Sequence, residues 1–198
     1  MLPASGETYR IDGAGSEVRV LVYRAGPLAR LGHNHVVVNR ALRGEVNPSA
    51  GAGSFWLTLP AASFVVDDAA ARHEEGAAFD NAVPDDAKAG TLQNMLSPAL
   101  LDAADFPAIA VKSTAVTVRP VTQGTGEMSA AVVIEVAGHE STKILPFTLQ
   151  KDSQRLTATG SAELRQSDLG LTPYSLMLGA LQVQDAITVK FTIVAIRG

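Results

Sequence analysis

The stretch RLTATGSAELR, residues 155–165, alternates along its whole length. Leu156, Ala158, Gly160, Ala162 and Leu164 fall on one side of an extended chain, and Arg155, Thr157, Thr159, Ser161, Glu163 and Arg165 on the other. A period of two predicts a sheet with one wet face and one dry face. The middle of the dry face is small. A packed sandwich would place Val, Ile or Phe there, whereas Ala158, Gly160 and Ala162 let a sheet curl tightly or leave room inside it.

The same reading extends outward. AITVKFTIVAI (186–196) sets Ile187, Val189, Phe191, Ile193 and Ala195 on one face. The intervening SDLGLTPYSLMLGALQVQD (167–185) is rich in Gly, Leu and Met and is expected to cover a barrel mouth. Upstream, AIAVKSTAVTV (108–118), SAAVVIEVA (129–137) and STKILPFTLQ (141–150) continue a meander of long antiparallel strands, with a turn at Gly124-Thr125-Gly126. Shorter strands are expected around Val18, Val20 and Val22, from His35 to Val38, at FWLTLP (55–60) and at AASFVVDD (61–68), with a break at Arg43-Gly44 and a turn-rich connection from Asn47 to Gly53. The charged region from Asp67 to Asp86 lacks periodicity and reads as an exposed loop. A helix is expected over Ala87–Leu101, with Leu92, Met95, Leu96 and Ala99 on one face. Ser97-Pro98 would cap a second short helix running toward Ala104. The total is about eight strands, which closed into an antiparallel barrel leave room for side chains or one slender ligand.

Composition narrows the function. The 198 residues are expected to form a single domain over 1–198. A net charge of −4 and 5% aromatics offer neither the basic face nor the stacking platform that nucleic acid requires. There is no cysteine, which removes disulfides, thiolate metal sites and a Cys nucleophile. No apolar run approaches the roughly 20 residues of a transmembrane helix. Met1–Gly6 lacks the features of a signal peptide, so the expectation is either a cytoplasmic protein or a mature form whose leader has been removed.

Several pieces together resemble the YceI-like family of lipocalin-like binders of polyisoprenoids and related lipids. They are Ala62-Ser63-Phe64, Phe106-Pro107-Ala108-Ile109 with Ser113, Gln166-Ser167-Asp168-Leu169-Gly170 and Val183-Gln184-Asp185, in the family's order across nearly the whole chain. The resemblance implies an all-β, eight-stranded antiparallel barrel with one or two short capping helices. It also implies an apolar tunnel for a polyisoprenoid or other long-chain lipid, and a periplasmic protein. A tail of about 12–16 carbons would contribute about 10 kcal/mol gross, at roughly 0.8 kcal/mol per buried methylene.

Candidate ligand-binding residues are the inward apolar positions. They are Leu21, Phe55 and Phe64 on the early strands, and Leu92, Met95 and Leu96 on the helix. Phe106, Phe147 and Phe191 follow on the later segments, with Tyr174 and Met177 in the covering loop. Gly160 is expected to keep the tunnel open, so that Phe at this position would block it. Each of these also reads as plain core. His33 and His35, two residues apart, share a face and are candidates for the lipid head group. With a third ligand from His73, Glu74, His139 or an Asp they would hold a metal, and the plainer reading is a turn bonded to nearby carbonyls. Asp168 is expected to hold its turn by accepting backbone N–H groups. No catalytic or cofactor motif is present: G-x-S-x-G, H-E-x-x-H and phosphate loops are all missing. The alternatives are a solid-core stress or interaction protein without ligand, or a metal-binding barrel. A homodimer is compatible with any of these.

Overall fold

The structure is a computed structural model describing residues 7–48, 53–118 and 126–198, with the backbone alone described at Val118, Gly126, Glu127 and Met177. Most of the connection expected between Asn47 and Gly53, and the turn before Gly126, lie outside the described residues.

The strands in chain order are β1 Tyr9–Ile11, β2 Glu17–Ala25, β3 His35–Asn39, β4 Arg43–Asn47, β5 Ser54–Pro60 and β6 Phe64–Val66. Two helices follow, α1 Ala69–Glu74 and α2 Asp85–Leu96. Then come β7 Ala108–Val118, β8 Gly126–Val136, β9 His139–Lys151, β10 Arg155–Arg165, β11 Ser175–Leu176 and β12 Leu181–Arg197. All pairings are antiparallel. β1 and β2 both lie against β12, β3 and β4 against β2 and β1, and β6 and β5 against β3 and β4. Each of these couples is one bent strand in two halves. With β7, β8, β9, β10 and β12 they make a closed eight-stranded barrel, as the alternation of residues 155–165 implies.

The bends are fixed by buried polar groups whose hydrogen bonds are met within the barrel. Ser16 lies at the β1–β2 bend, donating through Oγ to the Asp12 carbonyl at 2.7 Å and accepting from the Val194 N–H at 2.9 Å. Asn39 ties the β3–β4 bend to the β5–β6 bend, with Nδ2 donating to the Pro60 carbonyl at 2.9 Å and Oδ1 accepting from the Ala41 N–H at 3.0 Å. The break expected at Arg43-Gly44 therefore falls earlier, between Asn39 and Arg43, and β4, which is not among the expected strands, begins at Arg43.

The region from Asp67 to Asp86 is not an exposed loop. Asp68 caps α1 by accepting the Ala71 N–H at 3.0 Å, and Gly76, at φ 76°, reverses the chain so that Phe79 turns back inward. Ala71 and Phe79 are buried on the outer face of the barrel with Leu21, Val36 and Val38. Glu74 and Glu75, expected to be solvated, reach Arg19 at 2.9 and 2.8 Å, and Glu75 also pairs with Lys190. Burial opposes the Arg19 charge, but the Glu75, Glu74 and Glu17 carboxylates outweigh it and its pKa is pushed up. The helix expected to begin at Ala87 starts at Asp85 and stops at Leu96. Ser97 Oγ donates to the Asn94 carbonyl at 2.7 Å, and the chain from Ser97 forms turns rather than a second helix.

Gly160 is paired with Phe191, and the Phe191 ring lies over it. A methyl group on Gly160 would sit 2.5 Å from both Phe191 Cζ and the Pro146 carbonyl oxygen. The glycine is therefore a seat for a cross-strand ring, not an open stretch of tunnel. Gly160→Ala is expected to lower stability by about 1–3 kcal/mol through overpacking, read as a lower midpoint in urea. An unchanged midpoint would mean that the ring can move aside freely.

Candidate functional site

Inside the barrel lies a cavity of about 470 Å³. The faces that alternate inward supply its walls: Val18, Val20 and Val22 from β2, Ala158, Ala162 and Leu164 from β10, and Ile187, Val189, Phe191 and Ile193 from β12. Its lining is nearly all apolar from Ile11 and Val46 at one end to Tyr174 and Leu181 at the other. Among the described residues, the only charged or imidazole side chains on it are Arg24, His33 and His35, all at the Tyr174 end, and none is Asp or Glu. Thr91, Asn94, Gln166 and Gln182 add neutral polar groups, and Asn47 and Ser54 do so at the Val46 end.

The structure brings some expected residues to this cavity and leaves others outside it. Phe55, Phe64, Met95, Phe147, Tyr174, Phe191, His33 and His35 all line it. Leu21 does not, because it faces α1 on the outside of β2 while Val18, Val20 and Val22 face in. Leu92 and Leu96 pack against the main core from α2 without lining the cavity. Phe106 sits outside, its ring against Gly138 and 38% exposed. Gly160 lies beneath Phe191 and adds no wall. The Met177 side chain lies outside the described residues.

The histidines share the mouth, with ring centroids 6.1 Å apart. His35 is held by a buried carboxylate, its Nδ1 lying 2.6 Å from Asp67 Oδ2, while its Nε2 faces Thr91 Oγ1 of α2 at 3.4 Å. Asp67 Oδ1 accepts the Val36 N–H at 2.9 Å and a hydrogen bond from Arg72. Arg72, itself buried, also donates to the carbonyls of Asn34 at 2.7 Å and Asn81 at 2.9 Å. This cluster ties β3, the β6–α1 corner and the chain beyond α1 into one support beneath His35. No group of three potential metal ligands occurs among the described residues. Nothing in the sequence marks Asp67 and Arg72 as partners of His35, since the run that holds them reads as an exposed loop. Only the start signal Asp68-Ala69-Ala70-Ala71 and the Gly76 stop could have revealed α1.

Burial raises the Asp67 pKa, but the hydrogen bonds from His35, Val36 and Arg72 outweigh it and hold the carboxyl below 3.8. Burial likewise works against Glu75, and Lys190 and Arg19 hold it below 4.5. A carboxyl depressed on folding stabilises fully above its unfolded value and loses that contribution as pH falls through the folded one. The melting temperature is therefore expected to fall as the solution is acidified below about pH 4, and to fall less steeply in Asp67→Asn. Parallel pH profiles for the two proteins would remove Asp67 from this account.

Opposite these groups, the two late motifs meet. Gln166 Nε2 donates to the Gln184 carbonyl at 2.8 Å, and Asp185 accepts the Ser167 N–H at 2.8 Å and its hydroxyl at 2.6 Å. These bonds from Ser167 depress the Asp185 pKa. Asp168, expected to cap the turn, instead accepts from Lys143 Nζ at 2.8 Å, and Asp185 takes the capping role. Ser113 bridges β7 to β5, accepting the Phe55 N–H at 2.8 Å beside a bulge.

A family model described as YceI-like domain matches residues 9–195. Among solved structures, Burkholderia cenocepacia BcnA superposes with a TM-score of 0.65 at 17% identity, covering 93% of this chain and 98% of its own. A polyisoprenoid binding domain from Saccharophagus degradans, implicated in plant cell wall breakdown, gives 0.63 at 13% identity, covering 96% and 98%. The Campylobacter jejuni YCEI protein gives 0.54 at 11% identity, covering 82% and 84%. No curated protein matches the chain in sequence. No helix among the described residues is long and apolar enough to cross a membrane.

Proposed function

This chain belongs to the YceI-like family, and on that premise we propose that it is a non-catalytic carrier or store for a long-chain amphiphilic lipid, a polyisoprenoid foremost. The observation that carries the reading is the polarity of the cavity, an apolar passage whose only charged or imidazole side chains, among the described residues, stand at one end. A tail held along the passage gains from every methylene removed from water. A head group at the Tyr174 end meets Arg24, His33 and His35, with His35 fixed in orientation by Asp67. A cavity of about 470 Å³ falls within the range of small-molecule sites, roughly 300–1,000 Å³. It also weighs against the solid-core alternative, in which large side chains would fill the space left by Ala158 and Ala162. The reading includes export to the periplasm, which cell fractionation would test.

The direct experiment is titration with a fluorescent long-chain acyl probe, followed by displacement with prenyl alcohols of increasing length. One saturable site whose affinity rises with tail length is expected. Affinity independent of tail length would defeat the tunnel reading.

A further inference from the structure

The cavity mouth is rimmed by α2, through Thr91, Asn94 and Met95, and by two loops, residues 26–34 and 170–180, which are joined to each other. Leu28 N–H donates to the Ala180 carbonyl at 2.8 Å, and Gly26, at φ 88°, passes so close that a methyl there would lie 2.7 Å from the same oxygen. Gly32 and His33 from the first loop and Leu171 and Tyr174 from the second line the cavity. Outside it, the rim carries large apolar side chains in solvent: Leu31 is 65% exposed, Leu176 43% and Leu178 fully so. Leu178 also has φ 54°, a left-handed conformation that a leucine adopts only at some cost. Within these two loops the charge is one-sided as well, the exposed Asp80 and Asp168 and the half-buried Asp185 lying just outside them. Residues 24–34 contain Arg24, Arg30 and His33 and no acid, and residues 169–184 carry no charge, although the whole chain has 20 Asp and Glu.

We propose that this rim is a docking surface for an anionic lipid bilayer, which sets the tunnel mouth against the membrane so that lipid passes without crossing water. Leucines projecting from separate convex loops suit insertion among head groups, with the exposed Arg30 left at the anionic surface. A second copy of this chain is a poorer occupant, because a two-fold contact would bring Arg30 toward its own counterpart. The proposal rests on the tunnel reading for its purpose but not for its test.

The test is flotation of the purified protein with vesicles of phosphatidylcholine alone and of phosphatidylcholine with phosphatidylglycerol. The protein is expected to float with the anionic vesicles and to be released by salt. Leu31→Ser and Leu178→Ser should each weaken this binding about tenfold, and Arg30→Glu should weaken it on anionic vesicles only. All three should still take up a soluble acyl probe, since none lines the cavity. Absence of flotation, flotation unaffected by the leucine variants, or a solution dimer abolished by Leu178→Ser without vesicle binding would overturn the proposal. Failure of probe uptake by the wild-type protein would instead strike the tunnel reading.

Discussion

Replacing Ala158 and Ala162 together by Phe is expected to lower the affinity for a long-chain lipid by about a hundredfold while the barrel still folds. Both alanines lie on the inward face of β10, opposite Ile193 and Val189 of β12, and both line the cavity. Two rings there would occupy space that a tail needs. Excluding about four methylenes at roughly 0.8 kcal/mol each accounts for a loss of this size. Unlike a substitution at Gly160, the new rings enter empty space rather than the Phe191 ring, so circular dichroism and a cooperative urea transition should persist. Thr159→Phe is a suitable control, because its position is exposed on the outer face of the same strand. Undiminished lipid affinity in the double variant would mean that the ligand lies elsewhere.

Arg72→Met is expected to be the most damaging single substitution for the fold, at about 3–5 kcal/mol, the usual cost of leaving a buried charge without its partner. Asp67 would retain His35 and the Val36 N–H but lose the guanidinium, and the carbonyls of Asn34 and Asn81 would each lose a donor. The double variant Asp67→Asn with Arg72→Met should recover part of that loss, because the uncompensated charge is gone and Asn tolerates the positive φ of Asp67. Urea denaturation of the wild type, both single variants and the double variant closes the cycle. A single-variant loss within about 0.5 kcal/mol, the range of ordinary surface changes, would contradict the structural role given to the pair.

The barrel was legible where one face of a strand is wet. Residues 155–165 and 187–193 alternate cleanly because β10 and β12 separate cavity from solvent there. Where α1 covers the outside, alternation loses its meaning. Both faces of β3 and of the middle of β2 are then apolar, so Leu21 and Val36 look no more external than Val20 and Val37, and only Arg19 two residues earlier marks the outer face. The charged run after Val66 looked solvated because the partners that bury it, Arg19 and Lys190, lie more than 50 residues away. A separation of 32 residues between His35 and Asp67 likewise hid the support of His35, although the spacing of His33 and His35 set both on one face. Gly160 was misleading for a different reason. A small residue leaves space only when no neighbour across the strand fills it, and Phe191 does.

Whether the barrel holds a lipid is decided by native mass spectrometry of the purified protein, followed by organic extraction. One bound molecule per chain is expected, extracting as a prenyl or acyl lipid or acquired when such a lipid is added. A bare protein mass that persists after incubation with prenyl and fatty-acyl lipids would mean that it holds none.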